Sequence, residues 1–475
     1  MDASTGQVKV VFITNEPDLQ LPESKRQLLV PSDIKRYGLS RILNSESMLD
    51  TSSPIPLDFL ANGTFLRSSI QDYLSANGLS SETTLALQYV RSLLPPAYQA
   101  TFQHDEWVGG LDVLSSTAPA AEGAHVSEYV ATASYDGLVR VWNPSGQIVA
   151  VSPTGRSGGH SRRIGAVRWL SPSKLASAGL DGKIVVWNYK EEADQQQDSA
   201  PLKLSMELYG HEKHINAISV NTSNKRILSA SSDGRVGLWS SSKSTAPQAE
   251  ADSLPSASSA KRAKLSASAS GSTAQRGPLA FMPMHDEPVT AAIFHPKDAT
   301  VAYSASQDHT VKTIDLITQK EVSRLTTLHP VLCAAALPAT SLVAAGSSAR
   351  HITLLDPRES VAATAAMTLR GHVNMVVSLA PSPENDYSLV SASHDGTCRV
   401  WDLRSAQSGT ADEGGGRISE PVFTIGREWL KGKKLPPAGE GVKVLTVVWD
   451  TTWGIVSGGE DKKVQVNRGR GLLAS

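Results

Sequence analysis

The stretch "SAGLDGKIVVWN", Ser177–Asn188, decides the fold. It sets a hydroxyl at Ser177, a carboxylate four residues on at Asp181 and an indole six further at Trp187. The same phrase recurs as Thr132–Asp136–Trp142, Ser229–Asp233–Trp239 and Ser391–Asp395–Trp401. Two copies keep the first spacing and lose the tryptophan: Ser304–Asp308 with Ile314, and Ser457–Asp461 with Asn467. A decayed copy has Ala345, Ala349 and Leu355 at the three places. Six copies carry a histidine 20 to 32 residues ahead of the aspartate position: His104, His160, His211, His285, His329 and His372. The unit returns every 41 to 52 residues, with two longer gaps.

Seven such units spell a β-propeller, in which each repeat is one blade. The aspartate falls in a tight turn ("YDG", "LDG", "SDG", "HDG"), where the glycine supplies positive φ. Its carboxylate can hold the histidine, the histidine the hydroxyl, and the hydroxyl the indole N–H, so every buried polar group is satisfied by the next. The three sets led by a Gly-His pair are His160, Ser177, Asp181 and Trp187; His211, Ser229, Asp233 and Trp239; His372, Ser391, Asp395 and Trp401. Short apolar strands ("KIVVWN", "RVGLWS", "CRVWDL") flank them. In this the chain resembles a WD40-repeat propeller of seven blades, spanning residues 96–469. "QATFQ" (99–103) is expected to close the ring as the last strand of the seventh blade. A hydrolase reading of the Ser/His/Asp trio fails, because a catalytic triad is needed once and this trio recurs in blade after blade. No Walker loop, H-E-x-x-H or EF-hand loop is present, so no enzyme activity and no cofactor are expected.

Residues 7–93 precede the repeat. "VKVVFIT" (8–14) and "LLV" (28–30) read as strands, and "PSDIKRYGLSRILN" (31–44) as a helix entered at Pro-Ser-Asp. "LDFLANGTFL" (57–66) reads as a hairpin on Asn62-Gly63, which favours a type I′ turn. A helical turn and a last strand at "TLALQYV" complete the β-grasp order of a small ubiquitin-like, α+β domain. The chain is therefore expected to be mainly β. Its 45 basic and 46 acidic residues give a net charge of −1, which excludes binding to nucleic acid or membrane through bulk charge. Two cysteines, Cys333 and Cys398, fit a reducing compartment, and no membrane span or signal peptide is expected.

A ubiquitin-like domain ahead of a WD40 propeller resembles the NLE (Notchless-like) domain family of ribosome-assembly factors, and within it the WD-repeat subunits of the PeBoW complex. "SSETTLALQYVRSLLPP" leading into "FQHDEWVGGLDVL" carries the resemblance most specifically. It implies a scaffold for large-subunit assembly and pre-rRNA processing, in the nucleus, nucleolus and nucleoplasm. The partners it implies are the block-of-proliferation protein, Pescadillo, pre-ribosomal large-subunit particles and the AAA ATPase midasin, which removes the factor. It also implies that a glutamate before the last strand of the ubiquitin-like domain completes a Mg²⁺ site on midasin. Glu82 stands at that place, with Asp58 and Asp72 as lesser acidic candidates.

Two disordered insertions are expected. Residues 241–278 are Ser/Ala-rich and hold "KRAK", whose Lys261, Arg262 and Lys264 are a candidate nuclear-localisation cluster. Residues 405–419 form the second, and "LKGKKLPP" (430–437) is a basic loop for which direct RNA contact stays open. The rival function is a WD40 substrate receptor or adaptor in the ubiquitin system.

Overall fold

The computed structural model describes all residues except 1–5, 52, 122, 124–125, 191–199, 255–273, 339, 359–364, 410–415 and 470–475. Two compact units emerge, residues 1–95 with 403–419, and residues 96–402 with 420–475.

The first unit is a five-stranded sheet with two helices. Its strands are β1 (Gln7–Ile13), β2 (Gln27–Pro31), β3 (Leu57–Ala61), β4 (Thr64–Phe65) and β5 (Leu85–Arg91), in the order β2-β1-β5-β3-β4. The central pair β1 and β5 is parallel, with Val10 opposite Leu85, and the other pairs are antiparallel. Alternation along β1 sends Val8, Val10 and Phe12 into the core, where Phe12 meets the rings of Phe59 and Tyr89 at 6.2 and 6.3 Å. Asn62 and Gly63 both have positive φ (50° and 77°), the signature of the expected type I′ hairpin. The helix read from Pro31 starts later: α1 is Arg36–Leu43, and Pro31 ends β2. The intervening backbone is otherwise engaged, because the carbonyls of Ser32 and Ile34 accept from Gln71 N and Ile70 N at the start of α2 (Ile70–Ala76).

The second unit contains, among the described residues, seven blades, each built on four antiparallel strands, with a further strand added in parallel to the edge of two of them. Their innermost strands begin at Val108, Ile164, Ile215, Val289, Val331, Val376 and Val444. Pro96–Gln103 pairs along Lys463–Gly469 and joins the two ends of the ring. The closing strand is thus longer than the stretch 99–103. Trp169, Trp187, Trp239 and Trp401 are fully buried and set the spacing between blades. The residue after the turn aspartate, or after Ala349 in its place in blade five, is left-handed throughout. Gly137, Gly182, Gly234 and Gly396 serve in four blades, whereas His309, Arg350 and Lys462 adopt positive φ (60° to 72°) in blades four, five and seven.

Both expected insertions are shorter than the composition suggested. Around the first, Ala274–Arg276 adds in parallel to the open edge of Lys203–Leu208, and Ala251–Ser253 forms a 3₁₀ turn. Lys261, Arg262 and Lys264 lie outside the described residues. In the second, Gln407–Ser408 pairs with Arg417–Ser419, and Ala406 N donates to Gly63 O at 2.9 Å. Unpaired backbone groups at a strand edge and the Gly63 carbonyl at a hairpin tip take up chain that has no core of its own.

Candidate functional site

Each full relay is built in the order the spacing implies. Trp187 Nε1 donates to Ser177 Oγ at 2.8 Å, Ser177 Oγ lies 2.8 Å from His160 Nε2, and His160 Nδ1 lies 2.9 Å from Asp181. The network therefore assigns the proton of the imidazole to Nδ1. The sets at Trp239–Ser229–His211–Asp233 and Trp401–Ser391–His372–Asp395 repeat it at 2.7–2.8 Å. Ser177, Ser229 and Ser391 are 0% exposed, so no substrate reaches these hydroxyls. Burial alone would raise the Asp395 carboxyl, but hydrogen bonds from His372, Thr397 and Val373 N hold it well below the usual carboxylate range. Burial pushes the His372 imidazole down, against the pull of Asp395. In these three blades the relay ties the second and third strands, through Ser and Trp, to the histidine and the turn aspartate; its chemistry is structural.

The weaker blades depart in instructive ways. His285 bridges Asp308 and Ser304 at 2.7 and 2.8 Å, with Ile314 filling the indole's place. In blade five His329 contacts the His351 ring instead, at 5.7 Å. In blade one Trp142 reaches Thr132 at 3.0 Å, but Asp136 is held by Arg140 at 2.7 Å. His104 is buried against Trp142 with neither ring nitrogen hydrogen-bonded, and burial holds its pKa down to about 4. Blade seven holds a relay that sequence reading missed. Arg427 takes the histidine's place: it pairs with Asp461 at 2.6 Å and donates to Ser457 Oγ at 2.9 Å, with both ionic side chains 2% exposed. Gly426-Arg427 stands where other blades carry Gly-His, and that dipeptide was the available signal.

The acidic candidates of the first unit separate cleanly. Asp58 is buried, paired with Arg36 at 2.8 Å and accepting from Ser92 Oγ at 2.6 Å. Asp72 closes a capping box with Ser69 at the start of α2. Both carboxylates are committed to the fold. Glu82 sits in the turn Ser80–Thr83, closed by Thr83 N to Ser80 O at 3.1 Å, immediately before β5. Its backbone N–H is held by Ser80 Oγ at 3.2 Å, and its side chain is exposed. A fixed turn presenting an accessible carboxylate can supply one oxygen to a hard cation on another surface.

This is an NLE-domain protein with a WD40 propeller. The NLE (NUC135) domain model matches residues 8–74, and the WD domain, G-beta repeat model matches 99–143, 151–188, 202–240, 276–315 and 364–402. The blades left unmatched are five and seven, where alanines or an arginine stand in the relay. The chain is 58% identical to "Ribosome biogenesis protein YTM1" of Chaetomium thermophilum, over 99% of this chain and 97% of that protein. It is 57% identical to the Neurospora crassa protein of that name, over 99% of both, and 49% identical to that of Neosartorya fischeri, over 100% and 97%. It belongs to the Ribosome biogenesis protein YTM1 family. Among solved structures, the WD40 propeller domain of Doa1 superposes with a TM-score of 0.54 at 16% identity, covering 81% of this chain and all of that one; this likeness concerns the fold alone.

Proposed function

We propose that the protein is a non-enzymatic scaffold in assembly of the large ribosomal subunit and in pre-rRNA processing, working in the nucleolus and nucleoplasm. The observation that carries this reading is collinearity: NLE domain and propeller align together, over nearly the full length, with relatives named for ribosome biogenesis. The propeller supplies a rigid, ring-closed body for the block-of-proliferation protein and Pescadillo. The ubiquitin-like unit offers Glu82 to the Mg²⁺ site of midasin, which pulls the factor from the particle. A single carboxylate–metal bond suits such a handle, because it needs a positioned oxygen and little surrounding interface. Asp58 is already ion-paired and Asp72 already caps α2, which supports Glu82. Affinity purification of the full chain tests the reading. Pre-ribosomal RNA with Pescadillo and the block-of-proliferation protein is expected, whereas cullin or proteasome subunits in their place would favour the ubiquitin-system adaptor.

A further inference from the structure

The seven blades share one hydrogen bond that fixes which side chains ring one mouth of the axial channel. In every blade the residue just before the innermost strand accepts, through its carbonyl, the N–H of the residue just before the turn aspartate position, at 2.8–3.1 Å. Tyr135 N donates to Trp107 O, Leu180 N to Arg163 O and Ser232 N to His214 O in blades one to three. These pairs are equivalent by register, so the chemistry of the mouth can be read blade by blade. The channel itself is lined by small inner-strand residues such as Gly110, Ala166 and Ala292, and encloses about 390 Å³.

The ring is chemically lopsided. Blade one brings the half-buried rings of Trp107 and Tyr135 together at 5.6 Å, and the Arg163 guanidinium of blade two lies 4.9 Å over the Tyr135 ring. Arg162, Arg163 and Lys213 are exposed and, among the described residues, make no ion pair with a carboxylate. Glu212, the nearest acid in sequence, is instead paired with Arg235 at 2.9 Å. His214 is close enough to Arg163 and Lys213 for both to oppose its protonation, after the larger effect of burial. Across the ring the same positions in blades four and five are Pro288, Gln307, Pro330 and Ser348, which carry no charge, and in blades six and seven Met375, His394, Lys443 and Glu460, where Lys443 is paired with Glu460 at 3.9 Å. One residue earlier, where Arg162 and Lys213 stand, blade one has Glu106, paired with Lys462 at 3.2 Å, and blade four has Glu287. An aromatic pair bordered by unneutralised cations is confined to one arc.

We propose that this arc, Trp107 and Tyr135 with Arg162, Arg163 and Lys213, is a contact site for single-stranded RNA. The guanidinium and ammonium groups match successive phosphates, and the aromatic pair offers a π-surface to an unstacked base. Stacking is what favours RNA over an acidic peptide, which would use the cations and leave the rings idle. The inference rests on the assembly-factor reading only in that the reading places RNA within reach.

The test uses the full chain and a fluorescently labelled 16-nucleotide single-stranded RNA in an anisotropy titration at several salt concentrations. Arg162→Glu/Arg163→Glu/Lys213→Glu should weaken binding by roughly tenfold or more and lower the log–log salt slope by about 2, as expected for losing three phosphate contacts to a single strand. Lys203→Glu/Lys297→Glu/Lys320→Glu changes the same charge at exposed positions outside the arc and should bind like wild type. Ultraviolet crosslinking of the wild-type complex should place RNA adducts on the peptide carrying Trp107 or Tyr135. Absence of RNA binding by the wild type overturns the inference, as does equal binding and slope in the arc variant. So does competition by poly-glutamate as effective as by unlabelled RNA, which would assign the arc to an acidic protein. If the arc passes while the purified chain lacks pre-ribosomal RNA, the proposed function fails and the arc stands; intact pre-ribosome association with an unresponsive arc gives the reverse.

Discussion

Replacing His104 by phenylalanine isolates one buried, unpaired imidazole from every other titrating group of the propeller. The ring is 3% exposed, and burial, helped by Arg140 and opposed by Asp136, lowers its pKa from 6.5 to about 4. A histidine whose folded pKa is depressed binds its proton more readily in the unfolded chain. Its contribution is therefore full above pH 6.5 and is lost as pH falls towards the folded pKa. At about 1.36 kcal/mol per unit the full loss approaches ~3 kcal/mol, of which ~2 kcal/mol falls between pH 7 and pH 5. With unfolding entropy near 2.1 cal/mol/K per residue and roughly 370 residues in the propeller, that is a shift of about 2–3 °C. Thermal melts of wild type and His104→Phe at both pH values are the assay. The wild type should lose about 2–3 °C more than the variant on acidification, and the variant should be at least as stable at pH 7, since two unsatisfied buried nitrogens are gone. Parallel losses in the two proteins would refute the reasoning, because every other titrating group is common to both.

Two stability predictions follow from the other relays. Arg427→Ala strands the buried Asp461 carboxylate and should cost about 3–5 kcal/mol by equilibrium denaturation, with Arg427→His recovering part of it through the relay used in other blades; an unchanged transition would deny Arg427 a structural role. Asp395→Ala should cost about 1–3 kcal/mol by leaving His372, Thr397 and Val373 N without their acceptor. Ala349→Ser, in the blade without a relay, should leave the same transition nearly in place, and equal melting of Asp395→Ala and wild type would contradict the account.

Most of the propeller is legible because its polar relay imposes a fixed spacing on residues that otherwise vary. Where the relay changes chemistry, the spacing stays and the residue type misleads. Arg427 performs the histidine's task from the same dipeptide position, and a search for histidine passes over it. His104 fails in the opposite way: the residue is present, but Arg140, a strand residue with no motif value, has taken Asp136. That competition depends on side-chain reach and cannot be read from spacing. The ends of the insertions are hidden from composition for a third reason. Ala406 and Gly63 are far apart in sequence, and the bond between Ala406 N and Gly63 O leaves no local pattern. For Glu82 the family resemblance pointed to the residue. The structure adds that Asp58 is buried and ion-paired and that Asp72, though exposed, is engaged in the cap of α2, while the Glu82 side chain is exposed on a short turn.

Capture of the full chain by midasin's immobilised metal-site module, in Mg²⁺ and in EDTA, tests the central claim most directly. Wild type should be retained in Mg²⁺ and released by EDTA. Glu82→Asp, one methylene shorter, should be retained partly. Glu82→Ala should not be retained in either buffer, although it still assembles with Pescadillo and the block-of-proliferation protein. Retention of Glu82→Ala in Mg²⁺ at the wild-type level would contradict the account.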